Sequence, residues 1–276
     1  MMRKLRVAAV QLRSGIEPAA NRTQAMPLLR EAATAGARLI MTPENTMRLD
    51  RDRERMMAAV GPEEGDPELK AWGRAAQELG VWLLLGSGAI ATGSGKVFNR
   101  SFFFNPDGKI VARYDKINLF DVQLGGAETY RESETVEGGK AAVLVDGPMG
   151  AKIGLTICYD LRFAPLYTAL ARAGAEIIAA PAAFTVPTGQ ANWETLLKAR
   201  AIETAAFVIA PAQGGRHEDG RATWGHSMIV DPWGKALAML DHDEPGVIVA
   251  DLDLDEVAAA RAKIPAWAGG RDFTGP

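Results

Sequence analysis

The chain predicts an α/β fold of mixed sheets with helices outside, and three observations carry that prediction. Short apolar segments of strand length recur through its 276 residues, and helical patterns alternate with some of them. Asn105-Pro106-Asp107-Gly108-Lys109 and Asp231-Pro232-Trp233-Gly234-Lys235 join other segments as hairpins. Several segments, such as Trp82-Leu83-Leu84-Leu85, are apolar on both faces, which requires sheets covered on both sides.

In chain order, strands are expected over 5–12, 38–42, 82–91, 98–105 and 110–114, then over 141–145, 152–157, 176–180, 207–212, 227–231 and 247–251. Helices are expected over 18–35, 67–79, 165–173 and 193–204, the last with its charges mainly on one side. Gly93-Ser94-Gly95-Lys96-Val97 resembles a phosphate-binding loop but lacks its first glycine and its Ser or Thr, and it joins two strands, so it reads as a hairpin turn. No linker or repeat divides the chain, which is read as one domain over 1–276 with a core over about 4–255 and a C-terminal tail over 256–276.

Composition narrows the function. A net charge of −3 offers no basic excess for nucleic acid, and 47% hydrophobic residues describe a globule with ample core. Cys158 is the one cysteine, which excludes an internal disulfide and points to a reducing, cytoplasmic setting. With His217, His226 and His242 as the only histidines, no metal site is expected, and no cofactor. No apolar run approaches the ~18 residues that cross a bilayer, and the N-terminal segment has no cleavable signal shape. The Asn21-Arg22-Thr23 and Asn99-Arg100-Ser101 triplets are therefore not expected to be glycosylated.

Three positions carry chemistry. Cys158 ends the apolar run 152–157 and opens the polar turn Tyr159-Asp160-Leu161-Arg162 ahead of a helix, the setting of a nucleophile lifted off a sheet. Glu44 follows the apolar run that ends in Thr42-Pro43, and Lys116 follows Tyr114-Asp115. If their strands share a direction and a sheet, the three meet at one rim. Acyl transfer by a thiol needs these roles: a nucleophile, a base for its proton, and a fixed positive charge at the developing oxyanion. Singly, each has a plain alternative: a small buried hydrophobe, a solvated carboxylate and a surface ammonium. His217 or His226 as a base for Cys158 is a further alternative.

The ordered set Pro43-Glu44-Asn45, Tyr114-Asp115-Lys116, Gly154 to Phe163, Asn192-Trp193-Glu194, Arg200-Ala201-Ile202-Glu203, Trp224-Gly225-His226-Ser227 and Val230 to Gly234 resembles the nitrilase or carbon–nitrogen hydrolase superfamily over nearly the whole chain. Tyr159-Asp160 after the thiol is similar to its amidase branches, the chain most resembles the Nit branch, whose members act on omega-amides and deaminated glutathione, and Ala212 to Glu218 is similar to the deaminated glutathione amidase side of that branch. Ala164-Pro165 and Asn192 depart from the pattern and leave the choice of substrate open.

The resemblance implies a single-domain, four-layer α-β-β-α sandwich, dimerised through helices or assembled into a higher homo-oligomer, that hydrolyses a small carboxylate-bearing amide and releases ammonia or an amine. It implies Glu44, Lys116 and Cys158 as the catalytic set, a second glutamate at Glu132 with Glu128 and Glu134 as competing candidates, and the Tyr159 backbone N–H at the oxyanion. A raised carboxyl on Glu44 would follow from a dry pocket lined by Phe120 or Phe184, with Lys116 opposing it. Arg131, Arg162, Arg216 and Arg221 are the candidates for a substrate carboxylate. Hydrolysis of N-carbamoyl amino acids, or of another amide of the superfamily, is the enzymatic alternative, and a non-catalytic binding or assembly module on the same fold is the alternative of another class.

Overall fold

Two six-stranded sheets face each other and carry helices on their outer faces. The computed structural model describes residues 3–125, 128–271 and 274–275. The first half of the chain runs β1 (Lys4–Gln11), α1 (Pro18–Thr34), β2 (Leu39–Met41), α2 (Arg53–Ala59), α3 (Pro67–Leu79), β3 (Trp82–Ala91), β4 (Val97–Phe104), β5 (Ile110–Asp115), β6 (Asp121–Gly125) and β7 (Glu128–Arg131). The second half runs β8 (Val143–Asp146), β9 (Lys152–Leu155), α4 (Ala164–Arg172), β10 (Ile177–Ala179), α5 (Val186–Thr204), β11 (Phe207–Ala210), β12 (Gly214–Arg216), β13 (Ala222–Trp224), β14 (Met228–Val230), β15 (Ala236–Met239), β16 (Gly246–Asp253) and α6 (Asp255–Lys263).

The sheet orders are β16-β1-β2-β3-β4-β5 and β15-β14-β11-β10-β9-β8. In each, a parallel centre (β1-β2-β3; β9-β10-β11) is extended by antiparallel strands, which accounts for the mixture of crossover helices and hairpins in the sequence. Side-chain alternation along β1 separates the layers. Leu5, Val7 and Ala9 join a cluster that runs into the second sheet (Ile153, Leu155, Ile177) and on to Tyr167 and Leu170 of α4 and Trp193 and Leu197 of α5. Ala8 and Val10 face the other way, with Leu29 of α1 and Trp72 of α3. The result is the α-β-β-α sandwich.

Local chemistry sets the element ends. Asp66 accepts from the Glu68 and Leu69 amides at 2.8 and 2.9 Å to start α3, Pro67 sits in its first turn, and Gly80 ends it in the left-handed conformation. α5 starts at Val186, well before the expected 193, because Pro187 suits a first turn and Gly189 suits a tight contact. A Cβ on Gly189 would lie 2.3 Å from Trp224 side-chain atoms, so the glycine is what lets α5 approach β13.

The segment past 255 opens with α6, whose Val257 and Ala260 are buried, and continues as a turn of 3-10 helix over Pro265–Ala268 against α4 and α5. Arg261 stacks over Trp267 there. Residues 93–96 form the hairpin turn between β3 and β4, as their sequence predicts. Among the described residues, no helix is long and apolar enough to cross a membrane.

Candidate active site

Glu44 leaves the end of β2 through a loop that the neighbouring strand holds in place. The Asn45 amide, in a residue with φ of 58°, donates to the Ser87 hydroxyl at 2.8 Å, and the Gln213 side chain donates to the Glu44 carbonyl at 3.0 Å. β3 bulges beside this loop, between Leu85 and Gly88. A Cβ on Gly86 would fall 2.1 Å from the Thr42 carbonyl oxygen, so only glycine lets β3 run this close to the strand end that delivers Glu44.

Lys116 follows β5 directly, and its amide donates to the Asn99 carbonyl of β4 at 3.0 Å. β5 is antiparallel to β4, β4 to β3, and β3 is parallel to β2, so β2 and β5 run the same way in one sheet. Cys158 comes from the end of β9, in the opposite sheet. The expected common direction therefore holds for Glu44 and Lys116, but the thiol reaches them across the sandwich.

What joins the two sheets at this point is Asp160, which is fully buried. Its Oδ2 accepts from the Ile157 amide at 2.9 Å and the Tyr114 hydroxyl at 2.7 Å. Its Oδ1 accepts from the Asn118 amide and side chain at 2.9 and 2.8 Å. Tyr114 and Asn118 bracket Lys116, so one carboxylate ties the cysteine turn to the lysine segment. Cys158 itself is 8% exposed, with φ of 49°, and its amide donates to the Pro181 carbonyl at 2.8 Å. It opens a 3-10 turn over Cys158–Arg162, which Arg200 of α5 braces from behind by donating to the Leu161 carbonyl. Tyr159 is second in that turn, where amides lack partners within the helix.

Lys116 bridges two carboxylates. Its Nζ lies 2.8 Å from Glu44 Oε1 and 2.9 Å from Glu132 Oε2. Asn99 donates to both glutamates, the Ala183 amide donates to Glu44 Oε2 at 3.0 Å, and the Phe120 amide donates to Glu132 Oε2 at 2.6 Å. Burial pushes the Glu44 carboxyl up, but the charge and hydrogen bond of Lys116, with hydrogen bonds from Cys158 and Asn99, outweigh it and hold Glu44 below the usual carboxylate range. The balance thus falls on the side of the lysine rather than the dry pocket.

Burial also works against the Lys116 charge, and Glu132 and Glu44 overcome it and raise the ammonium well above its ordinary value. Burial and the nearby Glu44 charge raise the Cys158 thiol in turn. The resting set at neutral pH is a carboxylate, an ammonium and a neutral thiol, which is the charge state from which a base can take the thiol proton.

These four side chains line a cavity of about 690 Å³ whose walls include Phe120, Phe184, Tyr159 and the first turn of α5. Arg131, Arg216 and Arg221 line it as well, and Arg162 does not: it donates to Asn192 and lies over the Phe184 ring. Arg48, Arg51 and Arg53 also line the cavity, a cluster just past Glu44 that the sequence reading passed over although three arginines within six residues mark it. Of the neighbouring glutamates, Glu134 is exposed and is 3.9 Å from Arg131, and the side chain of Glu128 lies outside the described residues.

Neither histidine meets the thiol. Both ring nitrogens of His217 are engaged, with the Ser14 carbonyl at 2.9 Å and the Thr223 hydroxyl at 2.7 Å, and burial lowers its basicity. His226 stacks on Trp224 and pairs with that residue's carbonyl. Asn99 and Asp160 are the site residues whose roles were missed. The signal for Asn99 is weak: it is one of three consecutive polar residues, Asn99-Arg100-Ser101, in a strand whose other residues are apolar.

The sequence matches the family model described as carbon-nitrogen hydrolase over residues 6–262. It is 41% identical over 266 residues to a deaminated glutathione amidase of Bos taurus, covering 95% of this chain and 80% of that one. It is 38% identical over 267 residues to a deaminated glutathione amidase of Synechocystis, covering 96% and 97%. The crystal structure of the C. elegans NitFhit protein superposes with a TM-score of 0.88 at 31% identity, covering 97% of this chain and 65% of that one. By this extent of sequence and fold, the chain belongs to the carbon-nitrogen hydrolase family.

Proposed function

We propose that this carbon–nitrogen hydrolase is a thiol amidase in which Cys158 is the nucleophile, Glu44 the general base and acid, Lys116 the oxyanion partner and Glu132 the second carboxylate. The observation that carries the reading is the Lys116 ammonium held between Glu44 and Glu132 in the cavity that Cys158 lines.

Glu44 takes the thiol proton as the sulfur attacks the amide carbonyl carbon, and the carbonyl electron pair moves to oxygen. Lys116 and the Tyr159 backbone N–H receive that oxyanion. The tetrahedral adduct collapses with cleavage of the C–N bond, and Glu44 returns its proton to the departing nitrogen. A thioester remains. Water then adds to it while Glu44 takes the water proton, and collapse releases the carboxylic acid and the sulfur, which regains its proton from Glu44. One preorganised oxyanion donor contributes ~3–4 kcal/mol to lowering such a barrier.

The substrate is a small amide carrying carboxylates, with deaminated glutathione first among the class. Its support is the identity to amidases of that name and the arginines along the cavity wall. The protein acts in the cytoplasm as a homodimer, a reading consistent with the lone cysteine and with the exposed Ile202, Trp233 and Ile264.

The test is ammonia or amine release from deaminated glutathione, α-ketoglutaramate and N-carbamoyl amino acids, ranked by kcat/KM, for wild type and Cys158→Ala. Wild-type turnover highest on deaminated glutathione and none by the folded variant is expected. Wild-type rates in Cys158→Ala would overturn the mechanism, and preference for N-carbamoyl amino acids would overturn the substrate.

A further inference from the structure

Asn99 sits inside the lysine–carboxylate network although its residue type announces no acid–base chemistry. It lies on β4 opposite Ala89 and is 6% exposed. Its side-chain amino group donates to Glu44 Oε1 at 2.9 Å and to Glu132 Oε1 at 3.3 Å. The Lys116 ammonium reaches the same two oxygens at 2.8 and 3.0 Å. Each Oε1 therefore accepts from both a cation and a neutral amide.

Two further features show that this arrangement is not incidental packing. The Asn99 Oδ1 is buried with no hydrogen-bond partner among the described residues. A buried carbonyl left unpaired is unfavourable, and an aliphatic side chain of similar volume would avoid it. Turning the amide over would point its carbonyl at two carboxylates, so the network fixes its orientation. The second feature is the opposite oxygen of Glu44. Among the described residues, Oε2 accepts from the Ala183 amide at 3.0 Å and from neither Lys116 nor Asn99, which both sit on Oε1, so Oε2 is the oxygen of Glu44 left open to the thiol.

We propose that Asn99 is a positioning residue: together with Lys116 it occupies Oε1 of both glutamates and so confines proton exchange with Cys158 and the departing nitrogen to Glu44 Oε2. A neutral donor suits this task. A second ammonium in its place would weaken the base further, and an apolar residue would leave Glu44 free to rotate its lone pairs away from the sulfur. The inference rests on the thiol-amidase reading and adds to it the residue that selects which oxygen works.

The experiment compares wild type, Asn99→Leu and Asn99→Ser on one amide substrate, with kcat, KM and the pH profile of kcat/KM measured for each and folding checked by circular dichroism. Leucine keeps the volume and removes both donors. Serine keeps one hydroxyl donor, which serves at most one carboxylate. The expected order of kcat is wild type, then serine, then leucine, with the leucine variant down on the order of 10–100-fold and KM within about twofold. The acid limb of its profile moves to higher pH, because Glu44 has lost a hydrogen bond to its charged form. A purely structural role would not move that limb.

Wild-type kcat and an unmoved limb in Asn99→Leu would overturn the proposal, as would a raised KM with unchanged kcat, the mark of a substrate contact. If the leucine variant does not fold, the serine variant carries the same comparison. Failure of the underlying reading looks different: wild-type protein would then hydrolyse no amide, or would keep its activity after alkylation of Cys158.

Discussion

Lys116 is 2% exposed and Glu44 3% exposed at the floor of the cavity, whereas the Arg131 side chain at its mouth is 67% exposed. Floor residues leave the ends of β2, β5 and β9 and are tied across the sandwich by Asp160. Mouth residues come from the segment around α2, the β6–β7 hairpin and the loop after β12. Among the described residues, Arg48, Arg51, Arg53 and Arg216 lie within ion-pairing distance of no carboxylate, while Asp50 and Asp219 are taken up by Arg55 and Arg221. The contrast separates two tasks. In the poorly hydrated floor each charge is strongly felt, so geometry and protonation are fixed there before substrate arrives. At the hydrated mouth the cations are screened and adaptable, which suits recognition of a variable anionic group.

The hardest blow to the floor is Lys116→Met. It leaves Glu44 and Glu132 buried side by side without their shared cation, and breaking a buried pair in this way costs roughly 3–5 kcal/mol of stability. On the proposed mechanism, loss of this oxyanion donor removes a factor of about 10²–10³ from kcat, and the disturbed base removes more. Calorimetry and single-turnover kinetics on the purified variant check both. A variant that melts with the wild type and retains a tenth of its rate would show that the floor is not organised around this cation.

Asp160→Ala comes next. It strands the Tyr114 hydroxyl, the Ile157 amide and two Asn118 donors, each unmade bond costing about 1–3 kcal/mol where water cannot enter. The cysteine turn then loses its tie to the lysine segment, and kcat should fall by about 100-fold, in the range that attends small misplacements of reacting groups. Asp160→Asn keeps an acceptor and should fall between. Equal kcat in all three proteins would mean that the sheets hold their register here without the carboxylate.

The floor also fixes the pH response. Glu44 is held below its ordinary value of 4.5, so its contribution to stability is present above that value and is lost as pH falls through its folded value. Lys116 is held above its ordinary value of 10.5, so its contribution is complete below that value and is lost as pH rises through its folded one. Cys158, raised from 9.0, follows the lysine sense. A plateau of kcat/KM between roughly pH 5 and 9 is expected, with the acid limb below 4.5. A limb centred near neutrality would assign the base to another group.

The same division explains what the sequence could disclose. Glu44, Lys116 and Cys158 were legible because each ends an apolar strand and because their order along the chain matches a family pattern. Strand and helix positions were legible from periodicity, with β3 and α3 placed to the residue. The meeting of the three across two sheets was not, since no local signal says which strand ends oppose one another. Asp160 joins the nearby Ile157 amide to Tyr114 and Asn118, more than forty residues away, and Asn99 acts through the distant Glu44 and Glu132, so the residue types at these positions do not disclose the roles. The first turns of α5 lie outside the expected helix over 193–204, and Gly189 within them is fitted to a long-range contact with Trp224 that no local pattern discloses. The short strands β6, β7, β12 and β13 have too few apolar residues to register as strands, yet they build the mouth.

The mouth gives the smallest effect and the sharpest contrast with the floor. A Cβ on Gly220 would lie 3.6 Å from the Arg51 guanidinium, which brings the α2 segment against the loop that follows Arg216 at the end of β12. An anionic amide whose scissile carbon sits at Cys158 would extend its second carboxylate toward these cations. Arg51→Gln and Arg216→Gln should each raise KM for such an amide by about 1.5–5-fold, the range of an exposed ion pair, and leave kcat unchanged. A neutral amide of similar size should show no change in either variant, and added salt should weaken wild-type binding of the anionic amide alone. Steady-state kinetics on the matched pair of substrates at two ionic strengths tests this directly. Equal losses on charged and neutral amides would mean that the arginines shape the cavity rather than read charge, and the division between a fixed floor and a charge-reading mouth would fail at its outer half.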